Sequence, residues 1–352
     1  MLHAQVTPKS VGLQTLVPDG AHDLADTLGK HQSSELGASD TPSLREYPSA
    51  GSARWVAAPL SAGLAAVFGL APVHAQSVSP MENLRSLALD SMDAGVWVHY
   101  SSGHDVRAER MGRRIAASND YFDRRLGVRV ELRVALLHPA DFARALPTAV
   151  YGMPFVRGGV AVLPADLESG AVVDAYRALG PIANIGAIEE LRSLGLSFEE
   201  AARAMVDLVA LHELGHVQTE SYGIDPRQAW FAEFMATYFA YAYLRSEEPE
   251  IALVWDAVAE AGRQGVDPSY TSLDDLNRLY AGVGPVNYVW FQDILQGRAS
   301  SVYDSQALAF ISDVRSRFEN FDWTPGQARE MLDVLEAIEP GFITWSEALS
   351  NR

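Results

Sequence analysis

Two histidines and a glutamate in the middle of the chain have the spacing of a metal site. The segment His212-Glu213-Leu214-Gly215-His216 has the form H-E-x-x-H. On an α-helix, residues i and i+4 lie on one face, so both imidazoles reach the same ion. Glu213 stands beside them and holds a water without being a ligand, which is the arrangement of zinc hydrolases. The alternative is a pair of hydrogen-bonded histidines in a core.

The residues before this motif predict the helix that it needs. Ser197-Phe-Glu-Glu200 is a capping box, with Ser197 as the N-cap and Glu200 at the third helical position. An apolar stripe with helical spacing follows, formed by Ala201, Met205, Leu208 and Val209. His212 and His216 continue this stripe, so we expect both rings to point toward the core.

A third protein ligand must lie outside the motif. The metzincin extension would require Gly at position 219 and His at position 222, and Thr219 and Tyr222 exclude that class. No histidine follows His216, and the chain has no cysteine. A carboxylate is the remaining option, and the candidates are Glu233 and Glu220.

Glu233 is the preferred third ligand. It is the only charged residue between positions 229 and 244, and a lone carboxylate there is costly unless something neutralises it. Gly223 is the expected end of the motif helix, and Asp225-Pro226-x-Gln228 is the expected start of the next. Because only residues 223–225 separate the expected end of one helix from the expected start of the next, the two helices should be antiparallel neighbours, with Glu233 level with His216. A surface glutamate or a core ion pair is the alternative.

The combination of His212-Glu-x-x-His216 with a helical Glu233-x-x-Ala236 resembles the gluzincin metallopeptidases. This group includes the thermolysin-like enzymes and the aminopeptidases related to leukotriene A4 hydrolase. The resemblance covers about 25 residues. It implies a zincin-like fold and one Zn²⁺ held by His212, His216 and Glu233. Thermolysin-like enzymes have an aspartate four residues after the glutamate ligand, where this chain has Thr237, whose hydroxyl can accept a hydrogen bond from His212.

The resemblance and the chemistry imply the same roles. Glu213 takes a proton from a metal-activated water and later delivers it to the leaving amine of a peptide or protein substrate. A tyrosine is expected to stabilise the oxyanion. Tyr280, in Leu279-Tyr-Ala-Gly282, resembles the Tyr-x-Lys-Gly of the aminopeptidases, and Tyr288 is the second candidate. An ordinary core tyrosine is the alternative for each. The aminopeptidases' Gly-x-Met-Glu-Asn loop is not evident.

Composition narrows the other possibilities. The chain has 352 residues, a net charge of −18 and 48% hydrophobic residues, as expected for a globular protein. The acidic balance argues against nucleic-acid binding, which requires basic patches. Because there is no cysteine, thiolate zinc sites and cysteine nucleophiles are excluded. The competing functions are a non-peptidase zinc hydrolase on the same scaffold and a catalytically silent, metal-stabilised binding protein.

The first 75 residues have the pattern of an export leader. A segment without charges follows Arg54 and runs to Leu70, and Ala71-Pro-Val-His-Ala75 ends in a small residue. We predict cleavage after Ala75 and a periplasmic or secreted mature protein. No membrane span is expected in residues 76–352. This part of the chain has 23 Arg, no Lys and 39 acidic residues. The sequence indicates nothing about oligomeric state.

The mature chain is predicted to have an α+β fold. Strands are expected at residues 95–100, 128–136 and 158–164. The last strand is expected at a sheet edge because it ends in Pro164. At that edge, residues 160–163 would pair with an extended substrate. Residues 105–126 are expected as a helix that ends at Gly127. We therefore predict a leader (1–75), an α/β lobe with a small mixed sheet and the motif helix (76–222), and a mostly helical lobe (223–352).

Overall fold

Five short strands form one mixed sheet in a computed structural model that describes residues 80–319, 321 and 328–352. The strands are β1 (Asp90–Asp93), β2 (Trp97–Tyr100), β3 (Arg133–Leu137), β4 (Phe155–Arg157) and β5 (Val160–Pro164). Their order across the sheet is β1-β2-β3-β5-β4. The central strands β2, β3 and β5 are parallel, and the outer strands β1 and β4 are antiparallel to their neighbours. The small mixed sheet is therefore confirmed.

The prediction that residues 160–163 form an edge strand is wrong. β5 pairs with β3 on one side and with β4 on the other, so it has no open edge. Pro164 fits there because it is the last residue of the strand, where the ladder of hydrogen bonds ends. In the described sheet the open edges belong to β1 and β4.

The predicted strand over residues 128–136 forms only in its second half. Residues 128–132 bond instead to the preceding helix: the Val128 amide donates to the Phe122 carbonyl, and the Asn119 side chain donates to the Val130 carbonyl at 3.1 Å. Val128 and Val130 are nevertheless buried. The alternating pattern thus predicts burial correctly, but side-chain and backbone contacts with the helix replace the strand ladder.

Helices make up most of the chain after the sheet. The first five described helices lie before, between and directly after the strands in the sequence: α1 (Pro80–Arg85), α2 (Asp105–Leu126), α3 (Pro139–Ala145), α4 (Ala171–Arg177) and α5 (Ile185–Ser193). They are followed by α6 (Phe198–Ser221), α7 (Ala229–Glu247), α8 (Pro249–Gly265), α9 (Leu273–Leu279), α10 (Pro285–Gln306), α11 (Ala309–Phe318), α12 (Ala328–Ile338) and α13 (Phe342–Ser350). The mixed α+β class with a mostly helical C-terminal part is confirmed. Helix α2 also ends as predicted, with Gly127 in the left-handed conformation.

The sheet separates two hydrophobic clusters. Along β3, Val134 and Leu136 belong to the large cluster, and Ala135 and Leu137 belong to the small one, because successive strand residues face opposite sides. The large cluster also contains the buried faces of α6 and α7. Both helices that carry the predicted ligands therefore pack in the main core, on one side of the sheet.

Helix α7 begins later than the sequence predicts. It starts at Ala229 with Gln228 as its N-cap residue, and the Asp225 carboxylate accepts a bond from Arg227 instead of capping the helix. The Trp230 amide is satisfied by the side chain of Asn277, from α9, at 3.2 Å. A contact with a distant segment thus replaces the local cap, and the residues around the start of the helix do not indicate this contact.

Two predictions fall outside what the structure tests. The leader at 1–75 lies outside the described residues. The boundary at residue 222 falls between α6 and α7, which pack against each other within one cluster, and the division into lobes stays a prediction. None of the described helices is both long enough and apolar enough to span a membrane.

Candidate metal centre

Helix α6, which carries the H-E-x-x-H motif, begins as its sequence predicts. The Ser197 side-chain oxygen accepts from the Glu200 amide at 3.2 Å, and the Glu200 carboxylate accepts from the Ser197 amide at 2.7 Å. The capping box is therefore confirmed. Further along, His212 is buried and His216 is partly buried, so both rings follow the apolar stripe into the protein.

Helix α7 approaches α6 very closely beside the two histidines. A methyl group added to Gly215 would overlap with the carbonyl oxygen of Ala236. Because Gly215 has no side chain, the two backbones come together at this level. The side chain of Glu233, almost one turn before Ala236, is thereby brought to the imidazoles.

A single oxygen of Glu233 faces both histidines. Its Oε2 atom lies 3.1 Å from Nε2 of His212 and 3.7 Å from Nε2 of His216. In a tetrahedral zinc site with bonds of about 2.0–2.1 Å, neighbouring donor atoms are about 3.3 Å apart. The two distances from Oε2 to the imidazole nitrogens are both close to that spacing, and the N, N, O chemistry of these atoms suits Zn²⁺.

Two glutamates in the second half of α6, Glu213 and Glu220, differ in their position relative to the histidines. The ligand atoms of His212, Glu213 and His216 lie within 4.8 Å of one another, so by distance Glu213 and the two histidines form a group that could hold a metal. Glu233 remains the preferred candidate for the third ligand because it is buried and its oxygen faces both imidazoles, whereas Glu213 is partly exposed. Glu220, the other candidate from the sequence, is exposed.

Thr237 orients the first histidine. Its hydroxyl oxygen lies 3.0 Å from Nδ1 of His212, and both side chains are buried. The expectation that this hydroxyl contacts His212 is confirmed. The contact leaves Nε2 of His212 facing Glu233, as a metal ligand requires.

The carboxylate of Glu233 has two further partners. The Tyr280 hydroxyl donates to Oε1 at 2.5 Å, and the Gln292 amide nitrogen donates to Oε2 at 2.7 Å. The hydroxyl of Tyr288 lies 3.4 Å from that of Tyr280. Sequence reasoning selected both tyrosines but missed Gln292, which lies on α10, 59 residues after Glu233. No pattern around Gln292 marks it as functional.

These buried groups shift one another's ionisation. Burial opposes the charge on Glu233, but His216 and His212 stabilise it and hold the pKa of the carboxyl well below its usual range. Burial also opposes charge on His216, yet Glu233 and Glu213 raise its pKa to about 9. Burial raises the pKa of Glu213 itself. The carboxylates therefore stabilise positive charge between them, whether a proton or a metal ion carries it.

Comparison with known proteins yields no match: no family, curated protein or solved structure is similar to this chain.

Proposed function

We propose that this chain is an exported zinc-dependent metallopeptidase with a zincin-like fold of the gluzincin type. The observation that supports it best is the donor set. One carboxylate oxygen of α7 lies 3.1 Å and 3.7 Å from imidazole nitrogens of His212 and His216, distances close to those between ligands of one ion. Glu213 is close to both histidines, with ligand atoms within 4.8 Å of one another, and Glu233 as third ligand leaves its carboxylate for another role. A purely structural metal site has no use for this additional carboxylate.

The residues divide the work of hydrolysis between them. His212, His216 and Glu233 would hold the ion, which when bound polarises a carbonyl and lowers the pKa of a water. Glu213 accepts the proton of the attacking water and passes it to the leaving amine. Burial raises the pKa of Glu213, which makes its carboxylate a stronger base than an exposed glutamate.

The oxyanion donor has two candidates. Tyr280, which the sequence favours, already donates its hydroxyl to Glu233. Tyr288 is partly buried, and its hydroxyl contacts that of Tyr280. We therefore move the proposed oxyanion donor from Tyr280 to Tyr288.

An open sheet edge favours a peptide over other substrates. β4 lies at the edge of the described sheet and packs, together with β5, against the metal-site helix α6. No strand of the described sheet pairs with its outer side, where we propose that an extended chain adds as a further strand. A small non-peptide substrate would not need this edge. Export rests on the leader sequence alone.

Metal analysis combined with a cleavage assay tests the proposal. Purified wild-type protein is expected to contain one Zn²⁺ per chain and to cleave casein or members of a peptide library. Glu213→Gln is expected to keep its zinc and to lose at least 100-fold in rate, because general-base catalysis contributes about 10²–10⁴-fold. The matched control is Glu220→Gln, which changes an exposed glutamate on the same helix and should retain both zinc and activity.

Three outcomes would contradict the proposal in different ways. Zinc-loaded protein that cleaves no peptide but hydrolyses another substrate class would indicate a non-peptidase hydrolase. Zinc-loaded protein without any hydrolytic activity would indicate a metal-stabilised binding protein. Protein without stoichiometric metal would overturn the zinc site itself.

A further inference from the structure

The hydrogen bonds around Glu233 distinguish its two oxygens. Oε2 faces both imidazoles and accepts from Gln292, whereas Oε1 accepts from Tyr280. A carboxylate can bind a zinc ion through one oxygen or through both. Here only one oxygen is directed at the histidines, and the other is engaged on the far side.

Tyr280 is held in place by an unusual backbone. Its φ of 46° and ψ of −117° lie in a region that non-glycine residues rarely adopt. The residue ends α9, and α9 is tied to α7 by the bond from the Trp230 amide to the Asn277 side chain. This backbone conformation brings the Tyr280 hydroxyl to within 2.5 Å of Glu233.

Gln292 approaches the same carboxylate from another element. It lies on α10, which packs against α7, and its amide nitrogen is 2.7 Å from Oε2. Both donors are uncharged. An arginine in either position would also orient the carboxylate, but it would cancel the negative charge that attracts a cation.

We infer that Tyr280 and Gln292 are positioning residues that present a single oxygen of Glu233 to the metal while leaving its charge intact. This inference rests on the proposed function, because it assumes that Glu233 is a ligand. With Oε1 engaged by Tyr280, the protein supplies three donor atoms and leaves a fourth position of a tetrahedral site for water and substrate. A freed Oε1 would compete for that position.

Metal affinity and the visible spectrum of the cobalt-substituted protein test this inference. Tyr280→Phe and Gln292→Met are each expected to weaken Zn²⁺ binding about 10- to 100-fold, measured by competition with a chromophoric chelator. Tyr280→Phe is also expected to weaken the visible absorption of bound Co²⁺, because a second carboxylate oxygen raises the coordination number above four. Gln292→Met leaves Oε1 engaged and should keep the four-coordinate spectrum.

Two variants elsewhere remove the same kinds of hydrogen bond. Tyr243→Phe removes the hydrogen bond that the Tyr243 hydroxyl donates to Glu248. Gln306 lies on the same helix as Gln292 and donates to Glu339, and Gln306→Met removes that bond. Both are expected to bind Zn²⁺ and Co²⁺ like the wild type. Thermal unfolding of the metal-free proteins shows which variants are folded.

The possible results separate the inference from the proposed function. If the wild type binds Zn²⁺ tightly and folded Tyr280→Phe and Gln292→Met bind it equally well with an unchanged Co²⁺ spectrum, only the inference is wrong. If the wild type itself binds no stoichiometric metal, the proposed function is wrong and the inference falls with it. If Tyr280→Phe does not fold, the affinity of Gln292→Met decides the shared positioning role.

Discussion

Nδ1 of His212 lies 3.0 Å from the hydroxyl oxygen of Thr237, and the opposite nitrogen of the same ring faces Glu233. Thr237 and Glu233 are four residues apart on α7, so they project from one face of that helix toward α6. One helix therefore supplies both a proposed ligand and the group that orients another proposed ligand.

The Thr237 contact predicts the effect of removing one hydroxyl. Thr237→Val keeps the shape of the side chain but removes the partner of His212 Nδ1, and it should weaken Zn²⁺ binding about 10- to 100-fold. Chelator competition measures the affinity. Thr237→Ser retains a hydroxyl and serves as the matched variant, with an affinity close to that of the wild type. Equal affinities for the valine and serine variants would contradict the orienting role.

The close approach at Gly215 predicts that even a methyl group is not tolerated there. Gly215→Ala would place its side chain against the Ala236 carbonyl and force α6 and α7 apart. We expect a loss of about 1–3 kcal/mol in the free energy of unfolding from overpacking, together with weaker zinc binding. Chemical denaturation and metal titration provide the two measurements.

A second glycine provides the control for this prediction. A methyl group at Gly282 would meet only the Leu279 side chain, at an ordinary contact distance of 3.8 Å. Gly282→Ala should therefore be folded and nearly as stable as the wild type. If Gly215→Ala were equally stable, the tight contact between the two helices would be excluded.

The parts of the site that could be predicted are those encoded by local patterns. The capping box at Ser197 and the helical spacing of His212 and His216 both follow from neighbours along one helix. Glu233 was identifiable because it is the only charge between positions 229 and 244, and a charge in so apolar a segment must have a partner. Thr237 was identifiable because it occupies the position at which the thermolysin-like enzymes, which the motif resembles, have an aspartate that orients a histidine.

The remaining features depend on contacts between distant segments. Gln292 reaches Glu233 only because α10 packs on α7, and nothing in its own surroundings indicates this. The start of α7 was misplaced because Asn277 replaces the local cap. The sheet edge was misplaced because β4 (Phe155–Arg157) is too short to give a pattern, although it determines which strand is left open.

Asp293 predicts a pH dependence of stability that is separate from the metal site. It is fully buried on α10 beside Gly262, and burial raises the pKa of its carboxyl well above the usual range, against the opposing effect of Arg263. The folded state therefore keeps this proton at pH values where the unfolded chain has released it. The contribution of this group to the free energy of unfolding is fully present below about pH 3.9, and it falls as the pH rises toward the pKa of the folded state.

Asp293→Asn removes this ionisation. Between about pH 4 and the raised pKa, this group lowers the free energy of unfolding of the wild type by up to about 1.4 kcal/mol for each unit of pH increase. The asparagine variant should lack that contribution, so its stability should decline less steeply with pH. Denaturation curves from pH 4 to 8 measure the difference, and parallel pH profiles for the two proteins would exclude a buried acid at this position.

Tyr288 predicts a division of labour between the two tyrosines. If it is the oxyanion donor, Tyr288→Phe should lower kcat about 10²–10³-fold, the usual effect of losing one such donor, with little change in KM. Because the Tyr280 hydroxyl donates directly to Glu233, whereas the Tyr288 hydroxyl lies 3.4 Å from that of Tyr280, the affinity for Zn²⁺ should change less than in Tyr280→Phe. Steady-state kinetics on a cleaved peptide and chelator competition distinguish the two effects. A Tyr288→Phe variant with normal kcat would return the role to Tyr280, and a variant that loses zinc would place Tyr288 among the groups that hold the ligand.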